Sequence, residues 1–402
     1  MEIEKMTKIL FYNGQLFMGG IEKVLISYLN ALSNEKEIEI NLLIKENNKE
    51  KNIFYKDIPS NIKSNFIKKE KMVNLRNKIY EKKKNIFWKM IYSLILEVER
   101  IYMKSWLKNH LKKNYYDVVI DFDMGLGKYL DVFKGIPVIG WQHFSVDPKF
   151  SWKKRKILKK YRKLERLKKY TKIITLCDEM KEEMLKVYNI EKSKVDVLYN
   201  PFDSKKILEK SLKTIEKEDE RYFNEDFFIG VSRLVKTKGR EDLIEIYYQL
   251  KKRGVTEKLY LLGEGDEKEN LQKKIKSLNL EKEVVLLGQK INPYPWIRKA
   301  KLFLHTSYGE GLPTVLIESM ICRTPIISYD CPTGPKDILE KKYGVLVEMG
   351  NKIQFENEVY NLLRDSERQQ QYINKFKEKI EEFSIENIIS KFKKIVNEVK
   401  TS

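Results

Sequence analysis

The feature that most restricts the fold is an alternation that runs along the chain twice. Short apolar runs recur at Lys8–Tyr12, Glu37–Ile44, Asp117–Phe122, Pro137–Trp141, Lys172–Leu176 and Val195–Tyr199. They recur again at Phe227–Arg233, Lys258–Gly263, Val284–Gly288, Lys301–Ser307, Thr324–Asp330 and Gly344–Glu348. Runs this short and this apolar read as strands buried on both faces, and the helical stretches between them supply the cover a parallel sheet needs. A polar, charge-rich stretch from Asn200-Pro201 to about Asp226 separates the series and reads as a linker. The stretch from Ile44 to Asn114 reads as mainly helical, and two helices close the chain after Glu348. The expectation is an α/β chain of 402 residues with two tandem Rossmann-like domains, 1–200 and 201–375, and a last helix in 376–402. Ligands of such sheets bind beyond the carboxyl ends of the strands.

One stretch concentrates the chemistry. In Ser307–Met320, a glycine-flanked Glu310 leads through Pro313 into a short apolar helix that carries Glu318. Proline suits the first helical position, so the helix is expected to start at Pro313. The free amides of Leu312, Thr314 and Val315 then make a positive end suited to phosphate. Leu316, Ile317, Met320 and Ile321 form a core face, and Thr314, Glu318 and Cys322 fall on another stripe at i, i+4 spacing. A carboxylate on a mostly buried helix needs donors, and vicinal ribose hydroxyls would supply them.

Charge and cysteine usage narrow the classes further. The formal charge of +21 is uneven: residues 1–200 hold 42 Lys/Arg against 25 Asp/Glu, and residues 201–402 hold 37 against 33. Lys149–Lys172 carries 13 basic residues and one acid, and Ile79–Leu107 mixes Trp88, Tyr92, Tyr102 and Trp106 with lysines. Such a half can face anionic lipid headgroups or nucleic acid, or be a solvated helical face. The most apolar stretch, Ile86–Leu96, is 11 residues long and contains Lys89, too short for the ~20 residues of a membrane span. Cys177, Cys322 and Cys331 form neither a paired framework nor a metal-ligand spacing, and the N-terminus lacks a signal pattern, so a reducing cytoplasm is expected.

Ordered motifs over nearly the whole chain resemble the retaining glycosyltransferases of family 4, which have the two-domain GT-B fold. They are GGIE (Gly19–Glu22), GVSRLVKTKG (Gly230–Gly239), LLGEG (Leu261–Gly265), VVLLG (Val284–Gly288), the E-x7-E pair of Glu310 and Glu318, and DCPTGPKDIL (Asp330–Leu339). The resemblance implies parallel sheets facing across a cleft, an acceptor-binding first domain, a nucleotide-sugar-binding second domain and a final helix that crosses back to the first. It implies that Arg233 and Lys238 grip a donor diphosphate and stabilise the charge growing on it. Glu310 is expected at the donor sugar near its reacting face, and Glu318 on the ribose. His143, in VIGWQHFS, matches a histidine placed over the sugar. Gly19 and Gly20 allow close backbone approach, and Gly263, Gly288, Gly311, Leu312 and Thr314 complete the donor-binding set, with Thr333 and Gly334 close enough to approach the diphosphate or sugar. His110 and His305 have no such context. Asp121-Phe122-Asp123 reads as a strand end beside the acceptor cleft rather than the metal motif of a GT-A enzyme.

The expected function is therefore transfer of a hexose or N-acetylhexosamine from a nucleotide diphosphate sugar, a UDP-sugar by family analogy, to a saccharide, lipid-linked acceptor in surface polysaccharide or lipopolysaccharide synthesis. Neither cofactor nor metal is expected, because two cations and a helix end can stabilise the leaving group. The same mechanism asks for no protein nucleophile. The expected partners are the donor, the acceptor and an anionic membrane surface at the inner face of the cytoplasmic membrane, without nucleic acid. Two rival readings are a nucleotide-sugar epimerase of the same fold and a basic nucleic-acid-binding protein, the latter opposed by the acidic pair in the cleft.

Overall fold

The computed structural model describes residues 6–146 and 157–401. Two parallel sheets carry the chain. The first is built from β1 (Thr7–Asn13), β2 (Ile38–Glu46), β3 (Lys63–Lys68), β4 (Val118–Asp121), β5 (Val138–Gln142), β6 (Lys172–Thr175) and β7 (Val195–Val197). Their order is β3-β2-β1-β4-β5-β6-β7. Its helices are α1 (Gly20–Leu32), α2 (Glu70–Glu81), α3 (Ile86–Lys113), α4 (Ile157–Leu167) and α5 (Asp178–Tyr188). Next come α6 (Ser204–Ser211) and α7 (Glu220–Phe223), so the stretch expected as a polar linker is partly helical. Asp203 explains where α6 starts: its side chain accepts from the Lys206 amide at 2.9 Å, a cap that contributes about 1 kcal/mol.

The second sheet contains β8 (Phe227–Val231), β9 (Lys258–Leu262), β10 (Val284–Gly288), β11 (Leu302–His305), β12 (Ile326–Asp330) and β13 (Val345–Glu348). It runs β10-β9-β8-β11-β12-β13. The helices are α8 (Arg240–Lys252), α9 (Lys268–Ser277), α10 (Tyr294–Lys299), α11 (Thr314–Ile321), α12 (Pro335–Leu339), α13 (Lys352–Arg364), α14 (Ser366–Glu382) and α15 (Ile385–Thr401). Three helices, not two, therefore follow β13. The additional boundary lies at Asp365, whose carboxylate accepts from the Arg368 amide at 2.8 Å and starts α14.

The strands are buried on both faces, as their composition demands: Ile9, Leu10, Phe11 and Tyr12 of β1 are fully covered. The expectation of an all-helical stretch up to Asn114 fails at β3, which pairs with β2 from Asn41↔Lys63 to Glu46↔Lys68. KSNFIK is a polar edge strand whose burial is confined to its end, so it lacks the apolar run that marks the others. In both sheets the strand order reverses beside the earliest strand, between β1 and β4 and between β8 and β11. Loops diverge at these switch points and leave a crevice.

Helix α15 packs on α1 and β4. Ile388, Ile389, Phe392, Ile395, Val396 and Val399 form its buried stripe, and the Phe392 ring stacks on Phe11 at 6.2 Å. Each such side chain contributes roughly 1.5–3 kcal/mol of burial. Lys393 pairs with Glu35 at 2.6 Å and Glu37 at 2.9 Å beside α1, so the end of the chain ties itself to the first sheet. The basic run expected over Lys149–Lys172 begins outside the described residues, and its later part forms α4.

Candidate functional site

At the switch point of the second sheet, the loop after β8 meets the loop after β11. Gly239, at φ +58, makes this approach possible: a Cβ there would lie 1.9 Å from the Thr306 carbonyl oxygen. Thr306 Oγ1 donates to the Gly239 carbonyl at 2.9 Å, and the Tyr308 amide donates to the Thr237 carbonyl at 2.8 Å. The sewn loops bring Lys238 Nζ to 2.5 Å from Glu310 Oε1, and His305 Nε2 sits 3.1 Å from the same oxygen.

His305, whose sequence context carries no motif signal, lies inside the site. Its burial resists protonation and lowers its pKa, although Glu310 pulls the other way. A carboxylate only accepts, so Nε2 carries the proton and Nδ1 faces Ser328 Oγ at 2.9 Å. Burial also pushes the Glu310 carboxyl up, but the Lys238 charge and the His305 hydrogen bond outweigh it and hold Glu310 well below the usual carboxylate range. Glu310 is thus a permanently ionised, weakly basic group. Its backbone is pinned as well, the amide donating to the Pro332 carbonyl at 2.8 Å and the carbonyl accepting from Thr333 Oγ1 at 2.6 Å. That uses the Thr333 hydroxyl, which was expected to approach a ligand.

Arg240 is a second residue the sequence reading missed. It is 3% exposed, donates from Nε to Ser232 Oγ at 2.9 Å, and is lowered to about 10 by burial while Glu310 holds it up. It remains charged at neutral pH. Arg233 is exposed at the same strand end and, among the described residues, makes no ion pair. With Lys238 and Arg240 set against the single carboxylate of Glu310, the floor of this crevice is net positive, as a polyanion requires.

Helix α11 begins at Thr314 with Pro313 as its N-cap, one residue later than expected. Proline's ψ of 87° is not yet helical, and its carbonyl already accepts from the Leu316 amide at 3.0 Å. The amides of Leu312, Thr314 and Val315 have no partner among the described residues. Leu316, Ile317, Met320 and Ile321 face the core. Glu318, 5% exposed, lies 3.3 Å from Lys23 Nζ on α1. In this structure the donor to Glu318 is thus a cation from the other domain. The Glu318 charge raises the Lys23 pKa well above its usual value, and burial lifts the adjacent Tyr294 phenol to about 12. Gly20, Lys23, Tyr294, Thr314 and Glu318 line one cleft of about 830 Å³.

The first domain supplies the opposing wall. A Cβ on Gly311 would come within 2.1 Å of the His143 carbonyl oxygen, so this glycine is what lets the two domains touch. The His143 ring is 7% exposed; its Nε2 donates to the Phe122 carbonyl at 2.7 Å, which leaves Nδ1 as an acceptor. Burial lowers it to about 4. Gly19 caps α1 in extended conformation, and the Glu22 carboxylate fills the space a Cβ would need; Gly20 has open space there.

The structure does not bring all expected residues to one point. Gly263, at φ +134, packs against the Ser232 carbonyl, 1.9 Å from where its Cβ would be, and donates its amide to Gly288 at 2.8 Å. Gly263 thus underlies the Arg233 loop, and Gly288 lies beside Glu264. Gly334 gives its amide to Glu179 of the first domain at 3.1 Å. Asp121 accepts from the Tyr170 hydroxyl at 2.5 Å, and Asp123 accepts from the Gly14 and Gly125 amides at 2.8 and 3.0 Å. Asp121 Oδ2 and both Asp123 oxygens are thus used at the β4 turn, while Asp121 Oδ1 has no partner among the described residues. Among the described residues no cluster of three or more His, Cys, Asp or Glu is placed to hold a metal ion.

Both halves of the chain match families of known proteins. Residues 87–206 match the model for Glycosyltransferase Family 4, and residues 212–379 match that for Glycosyl transferases group 1. A Campylobacter jejuni N-acetylgalactosamine-N,N'-diacetylbacillosaminyl-diphospho-undecaprenol 4-alpha-N-acetylgalactosaminyltransferase is 34% identical over 203 residues, 50% of this chain and 53% of that protein. A Staphylococcus aureus poly(ribitol-phosphate) alpha-N-acetylglucosaminyltransferase is 30% identical over 52% of this chain and 42% of its own length. A Methanocaldococcus jannaschii glycosyltransferase without assigned substrate is 29% identical over 56% and 63%. The chain thus spans about half the length of the curated relatives it matches. The crystal structure of Anabaena HepE with UDP superposes with a TM-score of 0.75 at 16% identity, covering 98% of this chain and all of that one. S. aureus TarM gives 0.72 at 18% identity, over 98% and 100%. The shared architecture is the GT-B fold.

Proposed function

Because the chain belongs to the glycosyltransferases, its halves matching the family 4 and group 1 models, we propose that it moves a hexose or N-acetylhexosamine from a UDP-sugar to a lipid-linked saccharide in surface polysaccharide synthesis, with retention of configuration. The observation that carries this reading is the cluster of Lys238, Glu310, His305 and Arg240 at the switch point, facing the Gly311–His143 contact. A diphosphate set against Lys238, Arg233 and the open amides of α11 meets fixed positive charge where its own charge grows as the glycosidic bond breaks. The bond from the anomeric carbon to the diphosphate oxygen breaks, the acceptor oxygen bonds to that carbon on the same face, and the acceptor's proton passes to the departing phosphate oxygen. Glu310, held ionised and weakly basic, orients the sugar and is neither nucleophile nor base. Neutral His143 offers Nδ1 to a sugar hydroxyl, and Glu318 takes the ribose hydroxyls in exchange for Lys23.

The acceptor side of the reading places the enzyme at the inner face of the cytoplasmic membrane. No described helix is long and apolar enough to span a bilayer. On α3, however, Ile86, Phe87, Met90, Leu94, Val98 and Ile101 are exposed along one face, with Lys82–Lys84 and Lys89 beside them. An apolar stripe flanked by lysines suits an anionic bilayer surface. Relatives named for diphospho-undecaprenol and ribitol-phosphate acceptors support a phosphate-bearing substrate.

Thermal-shift screening of the whole chain against nucleotide sugars tests the reading. A UDP-sugar should raise the midpoint through its binding free energy, and Glu318→Ala should shrink the shift at the same ligand concentration. No response to any nucleotide or nucleotide sugar would remove the assignment.

A further inference from the structure

We infer that a basic pocket in the first domain is a second diphosphate site, one that holds the phosphate groups of the acceptor's carrier lipid. The inference rests on the transferase reading for its biological source but not for its chemistry. The pocket, about 400 Å³, lies among the end of β2, the loop after β4 and helix α4, and the basic groups lining it among the described residues are Lys45, Lys128, Lys163 and Arg166. Among the described residues no carboxylate lines it. Gly127 lets it close: a Cβ there would lie 3.3 Å from the Tyr170 hydroxyl and 3.7 Å from Arg166 Cδ.

Lys128 and Arg166 are poorly compensated. Lys45 lies 3.4 Å from Glu46, but that carboxylate is already held by both terminal nitrogens of Arg76 at 2.6 and 2.8 Å. Neither Lys128 nor Arg166 has a carboxylate within ion-pair distance among the described residues. The acids beneath the pocket do little to offset them. Asp121 and Asp123 are both raised by burial; Asp121 Oδ2 and both oxygens of Asp123 are committed to Tyr170 and to backbone amides, Asp121 Oδ1 has no partner among the described residues, and the Lys45 charge pulls Asp123 down only in part. Several cations converging on a site of this size fit a diphosphate, to which an arginine can bind through two parallel hydrogen bonds. A neutral saccharide would need none of them.

Position selects the carrier lipid. The pocket lies at the carboxyl edge of the first sheet, the edge that also bears His143. It also adjoins α3, because Lys104 of that helix pairs with Asp131 at 2.5 Å in the turn just after Lys128–Tyr129. A lipid entering along the exposed stripe of α3 would bring its phosphates to Lys128 and Arg166 and its sugar onward to the cleft.

Calorimetric titration of the whole chain with farnesyl diphosphate, with UDP present to fill the donor site, tests this. Wild type should bind, and a Lys128→Ala/Arg166→Ala double variant should bind roughly tenfold or more weakly, with unchanged UDP affinity reporting intact folding. Should Arg166→Ala perturb α4, the exposed Lys128→Ala alone carries the test. Undiminished binding in the variants, or a loss on Lys238→Ala instead, overturns the proposal. Flotation with phosphatidylcholine vesicles, with and without phosphatidylglycerol, separates the sources. A variant that loses only the phosphatidylglycerol response and keeps its farnesyl diphosphate affinity makes this a headgroup site, which also overturns the acceptor assignment. If UDP does not bind wild type, the UDP-donor reading fails, while the farnesyl diphosphate titration still decides the pocket.

Discussion

Lys23 Nζ, on the first helix of one domain, lies 3.3 Å from Glu318 Oε1 on a helix of the other. The contact joins an exposed ammonium to a buried carboxylate, at 61% and 6% side-chain exposure. The two ends therefore differ in what their loss would cost. Glu318→Ala removes charge-assisted hydrogen bonds to the ribose and should weaken UDP binding about 10- to 100-fold. Lys23→Ala frees Glu318 from a competing donor whose exposed pairing is worth no more than about 1 kcal/mol, and should strengthen binding by up to about fivefold. Titration calorimetry with UDP measures both, and equal losses in the two variants would contradict the exchange.

Gly311→Ala tests the contact between the domains. Its Cβ would fall 2.1 Å from the His143 carbonyl oxygen, backbone that cannot swing aside, so the domains must part. Sugar transfer should drop by about 10²-fold or more, the cost of misplacing reacting groups, with the far-ultraviolet circular dichroism spectrum unchanged. Full activity would mean that the contact is not part of the working state.

The histidines carry a pH signature. Burial sets folded His143 at about 4 against an ordinary 6.5, so between those values the unfolded chain binds the extra proton and stability falls as pH is lowered. His143→Gln should reduce the slope of urea-unfolding free energy against pH from about 6.5 to 4, leaving the parts due to His305 and His110, which burial also lowers. Nitrogen chemical shifts should show the His143 ring neutral, protonated at Nε2, at pH 6. An unchanged slope would place the titration elsewhere.

Much of this was legible because buried parallel strands cannot hide their apolar runs, and because Pro313 marks a helix start through backbone geometry alone. What escaped notice depends on contacts between distant segments. His305 ends a strand just as His143 precedes a loop, and its strand-end position was the available signal; only the fold puts it on Glu310. Arg240 reads as the first residue of an amphipathic helix, and nothing local says that it is buried beneath Ser232. The edge strand β3 is polar, so no periodicity announced it. Lys23 could not be matched to Glu318 across 295 residues without the cleft itself.

The stripe on α3 gives a prediction independent of the donor site. Replacing exposed Phe87, Met90 and Leu94 with serine should leave UDP affinity unchanged and reduce flotation with phosphatidylglycerol-containing vesicles. Each lost side chain removes roughly 1–3 kcal/mol of burial in the bilayer interface. Flotation equal to wild type would remove α3 as the membrane-facing surface.

The central claim is that Lys238, locked 2.5 Å from Glu310, stabilises a departing nucleotide diphosphate. The most direct measurement is UDP release from a panel of UDP-hexoses and UDP-N-acetylhexosamines by wild type and Lys238→Ala. Turnover of at least one donor by wild type, falling about 10²–10³-fold in the variant, is the predicted result. Release at the same rate by both proteins would contradict it.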